Sequence, residues 1–159
     1  MNFRDWLLNE SNPHPYQISH IDPEGYYDDE GELDRHDMGR QADEISRRST
    51  IHILRDKQLA AVSHDAQGKV AGALYTSIQD NYFTFDVVVD QSAQGQGIGT
   101  KLVQWAIDDF KSQRAMYDGM LKIKADVVSV TMEHILLKMG WKVRKRIGGH
   151  AIMTPPRAV

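Results

Sequence analysis

The residues best suited to chemistry are Gln94-Gly95-Gln96-Gly97-Ile98-Gly99, which stand between two stretches of different periodicity. Before them, Tyr82 to Asp90 is an extended run with the β-branched centre Val87-Val88-Val89. After them, Ile98, Leu102, Val103, Ala106, Ile107 and Phe110 recur at helical spacing, with Lys101, Gln104, Asp108 and Asp109 between them. A glycine-rich turn from strand into helix presents unpaired backbone N–H groups at the positive end of a helix dipole, which is a phosphate site. Glycine suits such a turn because a Cβ would hold an anion off the backbone. Gly99-Thr100-Lys101 has the wrong order for a Walker A loop, and Gly95-x-Gly97-x-Gly99 has the wrong spacing for a dinucleotide fingerprint.

The second feature is Asp86, a lone carboxylate in that apolar strand, one step before the valines. Burial would raise its pKa from about 3.9 toward neutrality, where a carboxylate serves as a general base. The alternative is an ordinary strand carboxylate that pairs with Lys122 or Lys124 or turns to solvent. The seven histidines show no metal-ligand spacing; His52 and His150 read as scattered singles, and His134, about 200° round its helix from Leu136, as a surface histidine.

A length of 159 residues fits one domain with a real core, and 41% hydrophobic and 26% charged residues are ordinary globular values. The net charge of -3 argues against a general nucleic-acid binder. With no cysteine there is no disulfide, thiolate metal site or cysteine nucleophile. No apolar run is long enough to span a membrane, and Met1 to Leu8 is too short and too charged for a signal peptide. The expected location is cytoplasmic.

The elements that must position these groups follow in order. Phe3, Trp6 and Leu7 suit a short helical turn, and Tyr16 to Ile21 alternates as a first strand. Asp22 to Gly25 reads as a turn, Gln41 to Thr50 as a helix, and Ile51 to Leu54 and Leu59 to Ser63 as short strands. Asp65 to Gly68 and Asp80-Asn81 are turns around a strand at Lys69 to Ile78, giving an antiparallel meander into Tyr82 to Asp90. Met120 to Val127 alternates again and can pair parallel with the strand before the helix. Ser129 to Met139 is helical, with Val130, Met132, Ile135, Leu136 and Met139 as its apolar positions. Gly140 stops it, and Trp141 to Met153 is a hairpin on Gly148-Gly149. Two charged stretches remain open. Asp22 to Glu44 is either a solvated surface or a field that gathers a cationic acceptor. Lys142, Arg144, Lys145 and Arg146 either protect an edge strand or meet a phosphate-rich partner.

Gln94, Gly97 and Gly99 fill Q/R-x-x-G-x-G/A directly after an apolar strand, which resembles the pyrophosphate loop of the GCN5-related N-acetyltransferases. The likeness covers about Leu59 to Met153: Lys69 to Ala73 is similar to the family's third strand, and Gly140-Trp141 to its Gly-Phe. It implies an α/β (α+β) fold, with a mixed, mostly antiparallel sheet whose central parallel pair splays around the cofactor between flanking helices. The expected organisation is one domain over 1–159. Residues 59–153 are its cofactor-binding core, and 1–58 lie on the acceptor side. The implied acyl donor is acetyl-CoA, held by Gln94, Gly95, Gln96, Gly97, Ile98, Gly99 and Thr100. Backbone N–H groups of Val87, Val88 and Val89 would polarise the thioester carbonyl.

Two positions depart from the family's pattern. The tyrosine that protonates the departing thiolate in many members is Leu136 here, and an asparagine near the pantetheine arm is Ser129. Asp86 and Ser129 are therefore the candidate catalytic residues. The implied activity is direct N-acetyl transfer to an amine acceptor, a small molecule or a protein group, with a homodimer left open. The alternative is a catalytically weak or inactive acyl-CoA or protein-binding module. Since nothing resembles an activated nucleophile, intact-mass spectrometry after incubation with acetyl-CoA alone should show no turnover-competent adduct. Ping-pong kinetics with such an adduct would overturn direct transfer.

Overall fold

The computed structural model describes residues 15–21, 35–49, 57–157 and 159. Its elements are β1 (Gln17–His20), α1 (Arg35–Arg48), β2 (Gln58–His64), β3 (Val70–Gln79), β4 (Tyr82–Val89), α2 (Ile98–Met116), β5 (Lys122–Val127), α3 (Val130–Lys138), β6 (Lys142–Ile147) and β7 (His150–Thr154). The strands form one seven-stranded sheet in the order β1-β2-β3-β4-β5-β7-β6. Every pairing is antiparallel except β4 with β5, which are joined through α2 and run parallel.

The meander forms because its turns have the right chemistry. Asp80 and Asn81 both take left-handed backbone angles, φ 53° and 63°, which match the twist of the strands they join. At the β2–β3 turn the Asp65 carboxylate accepts from the Gln67 and Lys69 N–H groups, each at 2.9 Å. Alternation then divides β4 between two layers. Phe83, Phe85 and Val87 enter the larger core with Leu102, Val103, Ala106, Ile107 and Phe110 of α2. Val88 turns the other way and packs with Met38, Ala42 and Ile45 of α1. On β5, Ile123, Ala125 and Val127 are buried, as is Leu121 just before it, as their alternation requires.

Two boundaries and one burial differ from the sequence expectation. Helix α1 begins at Arg35, six residues before Gln41, because its stripe is Met38, Ala42 and Ile45 set among charges. Gln41 lies mid-helix and ties α1 to the β2–β3 turn, donating to the Gly68 carbonyl and accepting from the Val70 N–H, each at 3.0 Å. Helix α2 runs past Phe110 to Met116, where no further residue is buried to mark its continuation. Val130, expected on the apolar side of α3, is exposed; Met132 and Leu136 are that helix's buried residues. The turn at Phe3 to Leu7, the turn at Asp22 to Gly25 and the strand at Ile51 to Leu54 lie outside the described residues.

Phe85 is 1% exposed and meets the Trp141 ring edge-on at 5.7 Å between centroids. Phe85→Ala should therefore cost about 3–5 kcal/mol in denaturant unfolding. Met116→Ala, at an exposed helix end, should stay within about 0.5 kcal/mol of the parent.

Candidate functional site

The site begins where β4 and β5 part. Their pairing runs from Tyr82↔Lys122 to Phe85↔Ala125 and stops there. Strand β4 stays paired to β3 as far as Val89↔Gly72, and the Asp90 N–H then donates to the Ala71 carbonyl at 2.8 Å. Backbone groups alternate in direction along an antiparallel pair. Asp86, Val88 and Asp90 thus turn their N–H groups to β3, and Val87 and Val89 turn theirs into the gap. The gap opens into a cleft of about 880 Å³.

One wall of the cleft is the glycine loop. A single 3-10 turn, Gln91–Ala93, carries the chain out of β4, with Ala93 buried as its anchor. Gly95 and Gly97 have left-handed angles, φ 83° and 77°, and a Cβ at either would meet nothing within 4 Å. Glycine is required there for its backbone conformation. Gly97 is the N-cap of α2 and supplies no side-chain hydrogen bond, so no side chain of the cap covers the first N–H groups of the helix. At Gly99 the constraint differs: a Cβ would sit 3.0 Å from Ile135 Cδ1 of α3, so this glycine lets two helices meet.

Gln94, Gly95, Gly97, Ile98, Gly99 and Thr100 all line the cleft, as do Val87 and Val89. Gln96 stands outside the lining, and Val88 faces α1. Ser129 caps α3, its Oγ accepting from the Met132 N–H at 3.3 Å, and it lines the cleft with the first turn of that helix. Leu136 is a fully buried core residue. Arg48 and Ser49, at the end of α1, close the far wall and carried no sequence signal for the role.

Asp86 lies on the opposite face of the sheet. It follows the last β4–β5 pair, as Asp126 does on β5, and both line a narrow crevice at the parting. Asp86 is 8% exposed and its Oδ2 lies 3.2 Å from Lys57 Nζ, whose side chain is 2% exposed. The partner is thus Lys57, neither Lys122 nor Lys124; Lys124 Nζ sits 4.4 Å over the Tyr82 ring. Burial pushes the Asp86 carboxyl up to about 6, against the opposing pull of Lys57. Across the strand pair, Tyr75 donates to Asp43 of α1 at 2.9 Å. His150 is no isolated single: its Nδ1 lies 2.9 Å from Asp126 Oδ1. His134 is exposed on α3. Neither Lys57 nor the Asp126–His150 pair could be found from local pattern, since their partners are far away in sequence.

The described part of the acidic segment is balanced locally. Asp37 pairs with Arg40 at 3.0 Å, Glu44 with Arg48 at 3.9 Å, and Asp43 holds Tyr75. Residues 22–34 lie outside the described residues. On the basic hairpin, Arg146 pairs with Glu133 at 2.7 Å and the Arg144 Nε donates to Thr154 at 2.8 Å, along the exposed edge strand β6.

Because folding raises the Asp86 carboxyl above its ordinary value, the native state holds that proton more tightly than the unfolded chain. Its contribution to stability is complete below about pH 4 and is lost as pH rises through about 6. Asp86→Asn, measured against the parent by denaturant unfolding, should become relatively more stable across that window. A constant difference would remove the raised carboxyl.

The acetyltransferase (GNAT) family model matches residues 10–128. No curated protein sequence matches the chain significantly. Among solved structures, the ribosomal-protein-S18-alanine N-acetyltransferase of Escherichia coli is similar at TM-score 0.61 and 16% identity, covering 89% of this chain and 93% of its own. YncA of Salmonella typhimurium, a putative acetyltransferase solved with its cofactor acetyl-CoA, is similar at 0.58 and 17%, covering 87% and 92%. The PaiA N-acetyltransferase of Thermoplasma acidophilum, solved with coenzyme A, is similar at 0.51 and 20%, covering 62% and 59%. These likenesses show the fold, with its mostly antiparallel sheet and one parallel pair. The family model spans most of the sequence and includes the strand, glycine loop and helix that build the cleft, so this chain belongs to the GNAT acetyltransferase family.

Proposed function

We propose that the protein transfers an acetyl group from acetyl-CoA directly to an amine acceptor. One observation carries the reading: the parting of β4 and β5 sets two outward N–H groups and an uncapped helix N-terminus on the cleft side, and a buried carboxylate on the other. The cleft residues fit the donor. The first N–H groups of α2, freed by Gly95 and Gly97, suit a pyrophosphate. A volume of about 880 Å³ suits an elongated cofactor arm. Two similar structures were solved with acetyl-CoA or coenzyme A. Bound there, acetyl-CoA supplies an activated acyl carbonyl and a thiol leaving group.

The chain's own groups then divide the work. The Val87 and Val89 N–H groups face the position where negative charge grows on the carbonyl oxygen. Asp86 receives the proton that an alkyl ammonium must lose before it can attack. The Ser129 hydroxyl accepts from the Met132 N–H through its oxygen and keeps its own proton available toward the thiolate. Asp86 and Asp126 at the crevice favour a cationic acceptor, as do the carboxylates of Asp22 to Asp34 in the sequence. Helix α1 covers the Asp86 face of the sheet and so lies on the acceptor side. Among the described residues no helix is long and apolar enough to cross a membrane, and a cytoplasmic site of action is part of the proposal.

A second reading, a binding module with weak catalysis, rests on Leu136, which is fully buried and offers no proton. Calorimetry with acetyl-CoA followed by thiol release over spermidine, an aminoglycoside, a lysine peptide and a free-N-terminus peptide separates the two. Thiol release above the hydrolysis rate with at least one amine is expected. Tight binding with none would favour the module. Gly97→Val should weaken acetyl-CoA by about tenfold or more, about 1.4 kcal/mol, through backbone strain and obstruction of the helix N-terminus. A folded Gly97→Val variant that binds like the parent would place the cofactor elsewhere.

A further inference from the structure

The reaction of an ammonium with a thioester releases one net proton after the thiolate has taken another. Asp86 cannot keep that proton cheaply. Its carboxylate neutralises Lys57, and a protonated Asp86 leaves a 2%-exposed ammonium without a counter-charge. Around Asp86 stand Lys57 at 3.2 Å, the cross-strand neighbour Tyr75 with its partner Asp43, and Asp126 of the same crevice, which is bonded in turn to His150. Lys57 is a buried cation, and the Tyr75 hydroxyl already donates to Asp43. His150 is different. Its side chain is 37% exposed at the start of β7, and Asp126 holds its Nδ1 at 2.9 Å, which leaves Nε2 as the exchanging nitrogen. Asp126 shares the crevice at the strand parting with Asp86.

We propose that Asp126 and His150 form the proton exit of this site: the proton that the acceptor gives to Asp86 leaves to bulk water through His150, which Asp126 orients. The inference rests on the acyl-transfer reading. In balance, an N–H bond of the ammonium breaks as an O–H bond forms on Asp86. That O–H then breaks as an N–H forms on His150 Nε2 through intervening water, and the imidazolium gives the proton to solvent. Asp86 returns as the carboxylate that Lys57 requires. His150 is thus a positioning and relay residue that acts through Asp86.

The test compares the parent with His150→Ala, His150→Gln and Asp126→Asn, using the panel amine that turns over fastest, over roughly pH 5.5 to 9. His150→Ala should lower kcat by about tenfold or more with the acetyl-CoA KM retained, and added imidazole should restore much of the loss. His150→Gln can keep a hydrogen bond to Asp126 but cannot relay, so it should behave as the alanine variant does. Asp126→Asn should lose less and shift the pH profile. A kcat and pH profile of His150→Ala equal to the parent's would overturn the proposal, as would loss that glutamine repairs and imidazole does not. If the parent turns over no amine, the acyl-transfer reading fails by itself. A carbon-13 titration of the Asp86 carboxyl then decides the coupling: it should move upward in His150→Ala, and an unmoved titration would sink the exit.

Discussion

The structure depends on a competition for one strand. Strand β5 is drawn toward β4 by parallel pairing as far as Phe85↔Ala125, and toward β7 by antiparallel pairing from Ala125↔Met153 to Val127↔Ala151. Beyond Ala125 only the second partner holds it. Strand β4, secured along its whole length by β3, does not follow. The unmet donors at Val87 and Val89, the cleft and the narrow crevice that holds Asp86 and Asp126 all result from that separation. In a sheet that stayed paired, Val87 and Val89 would spend their N–H groups on β5 and Asp86 would have no opening beside it.

The glycines fix how the helix meets this opening, each by a different physical means. Gly95 and Gly97 provide left-handed backbone angles that bring the chain round to the first turn of α2. Gly99 allows contact with α3, where a Cβ would crowd Ile135 at 3.0 Å. Gly72 works from the sheet side: a Cβ there would lie 2.9 Å from Ile98 Cγ2 and 3.1 Å from Leu102 Cδ1. It lets the N-terminal turn of α2 seat directly on β3. Helix position, and so the position of its free N–H groups, is set by close packing on both sides and by backbone geometry at the turn.

The Lys57–Asp86 pair is a poor device for stability, but it supplies the base that the proposed reaction needs. Removing two charges from water costs several kcal/mol each, and the attraction between them returns about that much at best. Retaining such a pair next to the strand parting keeps a carboxylate ionised in an apolar strand while burial makes it a stronger base. The carboxylates of α1 are arranged otherwise. Paired with arginines on their own helix or with Tyr75, they shape the surface and hold α1 to β3.

Much of this was legible without coordinates. The alternation of β5, the turn residues Asp80 and Asn81, and the apolar stripe of α2 are local signals, decided by side-chain spacing and backbone preference within a few residues. They were enough to give the strand–loop–helix unit, the parallel pair and the place of Gln94 to Thr100. The start of α1 was hidden because charge outweighs its narrow apolar stripe, and the end of α2 because an exposed helix turn has no burial to mark it. The sequence also marked Asp86 as unusual, since a carboxylate in an apolar strand is conspicuous in one dimension. Its partner was beyond reach: Lys57 stands 29 residues away and Asp126 forty, and His150 meets Asp126 across 24. The sequence by itself determined which elements form and which glycine turn opens the N-terminus of α2, because those depend on neighbours along the chain. Only the tertiary structure decided which charges meet, because ion pairing falls off within a few ångströms and strand pairing chooses which distant residues come that close.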